Sequence, residues 1–261
     1  MKIKSLLLFV GAALLSGACS DEPEVPVVVE PTISTTDSLA VIDIYHAARL
    51  DMSFETGKDW NLEDWHTWNG VNFELIDGEY HVTSLKLTAG IVMNEISSSV
   101  SELKYLRHFH YIACGGMYGV GPVFDCPLQT LIILGNDDID ETGPKNFLLG
   151  IGKVTETLER IEVYGCQESI SDDNLPLYKC NNLKILRIVN CNLSGEVPAR
   201  IGRLGSMADL SHNKFTSIDW KLFTERLNVP LLTDNPIKGP VPEEVAASEW
   251  WRLYGYRLMI E

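Results

Sequence analysis

Two histidines separated by one residue are the first candidates for chemistry in this sequence. His108 and His110 lie in the run LRHFHYIAC, and alternate residues of an extended chain point to the same side. Two imidazoles on one face can begin a zinc site, which needs a third protein ligand within about 2 Å of the metal. The equivalent positions of the neighbouring segments hold Lys86 and Ile132, and Glu162 comes two segments away. The sequence therefore predicts no metal at this histidine pair.

The acidic run NDDIDETG at 136–143 is a second candidate, for calcium. A helix-loop-helix calcium loop requires glycine at its sixth position and glutamate at its twelfth, and this run has neither. An acidic surface turn is the better interpretation. The chain also lacks GxSxG, HExxH, phosphate-loop and CxxC motifs. We therefore predict a protein that is not an enzyme, with no catalytic residues, no cofactor and no metal.

The histidine pair belongs to a repeated frame, which must position any functional side chain. The frame reads apolar, two variable, apolar, any, apolar, two variable, and then a small or polar residue that closes it. It fits the segments 82–90, 106–114, 128–136, 158–166 and 183–191. Two imperfect copies close at Asn213 and Asn235, and the closing residues of all seven copies are 22 to 30 residues apart. Self-similarity at this period is typical of a solenoid.

The turn after the frame repeats as well, since CNLSGEVP at 191–198 matches NPIKGPVP at 235–242. Gly195 and Gly239 favour a backbone that other residues resist, and Pro198 and Pro242 fix φ. The strand and turn frames together resemble the plant-type leucine-rich repeat over residues 82–245. The resemblance implies an α/β solenoid of about seven coils, with short parallel strands on a concave face. Because Pro230 takes an inward strand position, we expect the last strand to be weak or absent.

The closing residues should be structural. A buried asparagine there can donate to and accept from the backbone of its own and neighbouring turns. In the family, cysteine is a known substitute at this position, which Cys114, Cys166 and Cys191 occupy. We interpret these thiols as part of the buried ladder, and the odd count of cysteines after Cys19 argues against a disulfide scaffold.

The flanks of the repeats resemble caps. DSLAVIDIYHAARL predicts a helix over 38–50, and Trp60, Trp65 and Trp68 before Gly70 resemble the N-terminal cap of the same family. We therefore assign 38–81 to an N-terminal cap and the aromatic residues 246–261 to a C-terminal cap. Bulky aromatics in these places are suited to covering the open ends of a solenoid core.

The first residues resemble an export signal. Residues 1–18 combine a short basic start with an apolar run that is too short to cross a bilayer. LLSGAC resembles the lipobox of bacterial lipoproteins, which implies cleavage before Cys19 and acylation of that cysteine. Residues 19–37 follow as an acidic linker. The resemblance implies a lipid-anchored protein of the outer membrane, exposed at the cell surface.

Charge limits the partners. The chain has 21 basic and 36 acidic side chains, a net charge of −15, which repels phosphate backbones and anionic lipids. We therefore expect no nucleic-acid binding and membrane contact only through the anchor. The expected function is protein binding by the outward positions of the repeat strands, and glycan binding by exposed aromatics is the alternative. The candidate ligand-binding residues are His110, Ile112, Ile132, Leu134, Glu162, Tyr164, Arg187 and Val189.

Overall fold

The computed structural model describes residues 30–53, 55–89, 96–113, 120–135, 150–166, 176–197, 199–204, 207–225 and 228–255. Its helices are α1 (Thr35–Ala47), α2 (Lys221–Thr224), α3 (Glu243–Ala246) and α4 (Glu249–Tyr254). Its strands are β1 (Val71–Ile76), β2 (Glu79–Ala89), β3 (His108–Ala113), β4 (Thr130–Leu134), β5 (Arg160–Tyr164), β6 (Ile185–Val189), β7 (Ser194–Val197), β8 (Met207–Asp209) and β9 (Lys214–Ile218). The predicted leader 1–18, Cys19, Cys114 and the acidic turn at 136–143 lie outside the described residues.

The main sheet has seven strands in the order β1-β2-β3-β4-β5-β6-β8. The β1 strand pairs antiparallel with β2, and each later pair is parallel. Short 3₁₀ helices such as Ser98–Glu102, Gly121–Asp125 and Ala199–Arg203 return the chain from one strand to the next. The predicted leucine-rich-repeat solenoid is confirmed.

The core lies on one side of this sheet and follows the alternation of each strand. Leu131 and Ile133 are fully buried, as are Ile161 and Val163 on the next strand. In the register of the sheet Leu131 lies beside Ile161, and Ile133 lies beside Val163. Each coil therefore buries its apolar residues against the next coil, and removing this area from water stabilises the array at roughly 25 cal/mol per Å².

The asparagine closing residues form the predicted ladder. The carboxamide oxygen of Asn213 accepts from the N–H groups of Cys191 and Leu193, at 3.0 and 3.1 Å. Its nitrogen donates to the carbonyls of Ile188 and Leu210, at 2.7 and 2.9 Å. Asn213 therefore satisfies buried backbone groups of two consecutive coils, which would otherwise cost free energy.

The described cysteines are also structural. Cys126, Cys166, Cys180 and Cys191 are buried, reduced thiols. The Cys191 thiol donates to the carbonyl of Val189 at 3.2 Å. Burial raises the pKa of Cys126 to about 12 and that of Cys180 to about 11, which keeps both as unreactive thiols.

The turns on the far side of the repeats follow the predicted chemistry. Gly195 and Gly239 have φ angles of 92° and 123°, a region that glycine enters without steric cost. The β7 strand begins at this turn and pairs in parallel with β9 in a separate two-stranded sheet. We call this the convex side of the repeats.

One element at the start of the chain differs from the sequence prediction, and one at the end agrees with it. The first helix occupies Thr35–Ala47 instead of 38–50, so it includes the last part of the predicted linker 19–37. The reason is a tertiary contact, because the buried carboxylate of Asp37 accepts from the N–H of Val82 at 2.7 Å. At the other end, the seventh coil contributes only an isolated bridge between Asp209 and Leu231, next to Pro230. The expected loss of that last strand is confirmed.

Both ends of the repeats carry aromatic clusters. Trp60 and Trp68 are buried and stack 5.7 Å apart, and Tyr45 stacks on Trp60 at 5.6 Å. At the other end, the rings of Trp220 and Trp251 meet edge-on at 6.1 Å. Within the residues that the structure describes, no helix is long and apolar enough to cross a membrane.

Candidate functional site

The candidate site is the concave face, the face of the main sheet opposite the core. Parallel pairing places every predicted outward residue beside its counterpart on the next strand. The first column contains Lys86, His110, Ile132, Glu162, Arg187 and Asp209. The second column contains Thr88, Ile112, Leu134, Tyr164 and Val189. The predicted register is therefore confirmed at each of these positions.

An apolar strip crosses the middle of this face, and we define it as Ile112, Ile132, Leu134, Tyr164 and Val189. Leu134 is 36% exposed and the other four are half-buried. Adjacent strands lie about 4.8 Å apart, so the strip residues of neighbouring strands leave the sheet side by side. The strip therefore extends over four consecutive strands, β3 to β6.

Polar residues end the strip on both sides. Beyond Ile112, the second column continues to Thr88, which is buried and donates its hydroxyl to Glu55 at 3.5 Å. Beyond Val189, the frame continues to Ser211, which is also buried and donates to Asp209 at 2.7 Å. The apolar surface is therefore confined to the central coils.

Glu162 was predicted as a ligand-binding residue, but the structure buries it, since it is only 5% exposed. Its carboxylate accepts from the Tyr164 hydroxyl at 2.9 Å and from Nη1 of Arg187 at 3.1 Å. Arg160 donates to the other carboxylate oxygen through Nε and Nη2. The side chains of Arg160, Tyr164 and Arg187 are longer than that of Glu162 and lie on the same face of the sheet. Arg160 and Tyr164 flank Glu162 on β5, Arg187 lies next to it on β6, and together they cover it. A carboxylate can be buried here because several donors compensate its lost hydration.

The protonation of this cluster follows from its contacts. Burial alone would raise the pKa of Glu162, but hydrogen bonds from Tyr164, Arg160 and Arg187 outweigh it and hold that pKa below its usual value. Burial and the bond to Glu162 raise the pKa of Tyr164, and the same carboxylate raises the pKa of Arg187. At neutral pH the cluster therefore contains an ionised carboxylate, a neutral phenol and two guanidinium ions.

His110 lies on β3 in the same column as Glu162, with Ile132 of β4 between them. Burial lowers the pKa of His110, and the neighbouring His108, Arg160 and Lys86 lower it further, while Glu162 opposes the change. His110 is therefore neutral at pH 7 and can both donate and accept. Within the described ranges, no group of three metal-ligating side chains comes together, at this histidine pair or elsewhere.

Arg160 is the functional candidate that sequence reasoning missed. Arg160 precedes Glu162 by two residues and leaves the same face of β5. It belongs to a third column of outward residues with His108 and Thr130. The signal was present in the segment RIEVY, where a basic, an acidic and an aromatic residue alternate on one face. The alternating residues Arg160, Glu162 and Tyr164 form one hydrogen-bonded row along β5.

The comparisons with known proteins agree with this architecture. The family model for the Leucine Rich Repeat matches residues 182–204. A plant ice-binding protein is similar in structure, with a TM-score of 0.63 and 19% identity over 80% of this chain and 66% of that one. The Arabidopsis receptor kinase HAESA, solved with the peptide hormone IDA and the co-receptor SERK1, has a TM-score of 0.56 and 18% identity over 82% of this chain and 36% of that one. No curated protein sequence matches the chain.

The parallel sheet and the stacked core are those of a leucine-rich-repeat solenoid. The chain spans about two thirds of the ice-binding protein and about a third of the receptor.

Proposed function

We propose that the protein is a non-catalytic binding protein whose concave face recognises a protein or peptide ligand. The ligand would dock on the apolar strip, with Tyr164 and Arg187 as the residues that contribute most. His110 and the remaining strip residues would complete the contact surface. Glu162 would act from below as a positioning residue, because it is buried and orients both Tyr164 and Arg187.

The observation that carries this proposal is a partly exposed apolar surface that crosses four strands of the sheet. The strip residues occupy positions that solvent reaches, while the alternating residues of the same strands fill the core. Contiguous apolar surface that borders charged groups is typical of protein interaction sites. Tyr164 is held by its hydrogen bond to Glu162, so binding would cost little of its conformational entropy.

The likeness to HAESA supports the same proposal. That receptor is solved with a peptide hormone and a co-receptor, so the fold serves protein and peptide recognition there. The two tryptophan pairs at the ends of the repeats do not form the flat exposed platform that the glycan alternative would use. Trp60 and Trp68 are stacked but buried, and Trp220 and Trp251 meet at 64°.

We further propose that the protein acts outside the cytoplasm, held at the outer membrane by acylated Cys19 after removal of residues 1–18. The lipobox-like LLSGAC and the acidic residues that follow it support this location. Metabolic labelling with a radioactive fatty acid tests it, since Cys19→Ser should abolish the label. A label that persists in Cys19→Ser would contradict the lipid anchor.

The binding proposal is tested by a pull-down with residues 20–261 against host proteins, bacterial surface proteins and a panel of glycans. We expect reproducible capture of a protein, and capture that is weakened by Tyr164→Ala. Lys238→Glu is the control, because Lys238 is exposed next to the convex turn. Binding of polysaccharide alone would contradict the proposal.

A further inference from the structure

The chemistry of the concave face also indicates what kind of segment it binds. We infer that the ligand segment is acidic as well as apolar, with Asp or Glu side chains beside the apolar side chains that cover the strip. This inference deepens the proposed function and rests on it.

The charge of the face is the first argument. The whole chain has a net charge of −15. Among the described side chains on the central strands β3 to β6, however, the concave columns hold two guanidinium groups, of Arg160 and Arg187, and one carboxylate, of Glu162. The central face is therefore positive by one charge. On the two flanks of this surface, Lys86 adds a cation that lies 3.8 Å from the exposed Glu55, and Asp209 adds a carboxylate on the strand next to Arg187, so the excess of positive charge is confined to the central strands.

The placement of the negative charge is the second argument. The Glu162 carboxylate is covered, with a side chain only 7% exposed, whereas the side chains of Arg160 and Arg187 are 43% and 32% exposed. A ligand therefore meets the cations and not the anion between them. A guanidinium has five N–H donors, and Arg160 donates to Glu162 only through Nε and Nη2. Its remaining N–H groups can donate to a second carboxylate.

The surroundings of His110 are consistent with this charge. Burial lowers the pKa of His110 most; among its charged neighbours His108, Arg160 and Lys86 lower it further, and Glu162 raises it. Among the charged side chains that act on His110, the cations Arg160 and Lys86 outnumber the one carboxylate, so the local potential favours an anion. At physiological ionic strength such a potential acts over about 8 Å, so it selects ligands at contact and is not cancelled by acidic groups elsewhere on the protein.

The spacing of residues along β5 allows one ligand segment to meet both the apolar strip and the guanidinium of Arg160. Arg160 and Tyr164 lie four residues apart on β5, and Glu162 lies between them. At about 3.3 Å per residue, their backbones are roughly 13 Å apart, but both side chains reach the Glu162 carboxylate, which brings the guanidinium close to the phenol. A segment that covers the strip at Tyr164 can therefore direct acidic side chains to Arg160. An apolar segment with basic side chains would instead place like charges together, which is unfavourable.

Three labelled synthetic peptides of equal length test the inference on the purified full-length chain. The first alternates Leu and Glu, the second alternates Leu and Lys, and the third alternates Ser and Glu. Fluorescence anisotropy gives each Kd at low and high NaCl. We expect the Leu–Glu peptide to bind at least about tenfold more tightly than either of the others, with the difference from Leu–Lys decreasing in high salt.

Two substitutions locate the effect. Arg160→Gln should weaken binding of the Leu–Glu peptide at least fivefold and leave the affinity for Leu–Lys unchanged or higher, while Arg160→Lys should retain part of the affinity. Arg203→Gln is the control, because it removes one arginine charge from Ala199–Arg203, outside the strand columns, although Arg203 is more exposed than Arg160. Thermal unfolding of each variant confirms that it is folded.

The remaining outcomes separate this inference from the proposed function. If Leu–Lys binds as tightly as Leu–Glu and Tyr164→Ala weakens it, the concave site stands and the acidic preference is wrong. If the Leu–Glu peptide binds and neither Arg160→Gln nor Tyr164→Ala changes its affinity, the peptide binds elsewhere on the protein. In that case the acidic preference and the concave binding site are both wrong. If none of the three peptides binds, the acidic and apolar preference is wrong, and the pull-down decides the proposed function.

Discussion

Tyr164 and Arg187, on neighbouring strands, donate to the same oxygen of Glu162, at 2.9 and 3.1 Å. The two residues that we expect to contribute most to binding are therefore joined through one buried carboxylate. A change at Glu162 should affect both of them. The sites are also too close to behave independently, so their contributions to binding should not be additive.

The first prediction concerns the stability of this cluster. Glu162→Gln keeps the shape of the side chain and removes its charge, so Arg160 and Arg187 lose a charged acceptor. We expect the free energy of unfolding to decrease by about 1–2 kcal/mol in urea titrations. The control is Glu159→Gln, because Glu159 forms a more exposed pair with Lys184 and should change stability by less than about 0.5 kcal/mol. Equal effects of the two substitutions would contradict the role of burial.

The second prediction concerns pH. Because the pKa of Glu162 is lower in the folded protein than in the unfolded chain, the unfolded chain binds more protons in acid. The contribution of Glu162 is therefore complete above its ordinary pKa of about 4.3 and is lost as pH falls through the lowered value. Urea titrations should show that the wild type loses more stability than Glu162→Gln between about pH 6 and pH 3. Parallel loss in both proteins would disprove the lowered pKa.

The third prediction concerns the asparagine ladder. Asn213→Ala leaves the N–H groups of Cys191 and Leu193 without their acceptor in a buried place. We expect a loss of more than about 2 kcal/mol of stability. Asn182→Ala is the matched control, since Asn182 is exposed and donates once, to the carbonyl of Glu156. A small effect of Asn213→Ala would mean that the backbone groups are satisfied in another way.

The fourth prediction tests the alternation of one strand. Leu186 is 1% exposed and lies between Ile161 and Ala208, so Leu186→Asp places a charge in the stacked core. We expect unfolding or a loss of more than about 4 kcal/mol. Ile185→Asp, at the adjacent half-buried position on the other face, should cost far less. Thermal unfolding measures both, and the reverse order would refute the register.

The repeat frame predicted the register because local pattern determines it. An inward residue such as Leu131 must lie beside inward residues of the neighbouring strands. A shift of the strand register by one residue would expose all the apolar residues of that strand. The role of the closing residues was also predictable. The turn after each strand leaves backbone N–H and C=O groups without partners in the sheet, and a buried asparagine such as Asn213 can bond to both kinds of group. Local sequence was therefore enough for the sheet, the core and the outward columns.

Contacts between distant residues were not predictable in the same way. The helix begins at Thr35 because Asp37 reaches Val82, 45 residues further along the chain. Glu162 occupies an outward position, yet it is buried by neighbours on its own face. The alternation of residues along a strand predicts from which face of the sheet a side chain projects. It does not predict which longer side chains on that face will cover it. For that reason the candidate site was predicted as a set of positions, while the arginine cluster around Glu162 appears only in the structure.

The fifth prediction, and the most direct test of the account, is the affinity of the captured protein partner for concave variants. Isothermal titration should show that Tyr164→Ala and Arg187→Ala each weaken binding by more than about 1 kcal/mol, because both residues lose contacts with the ligand. Arg203→Ala and Lys238→Glu, away from the concave columns, should bind as the wild type does. Normal binding by both concave variants, together with loss of binding in Lys238→Glu, would contradict recognition by the concave face.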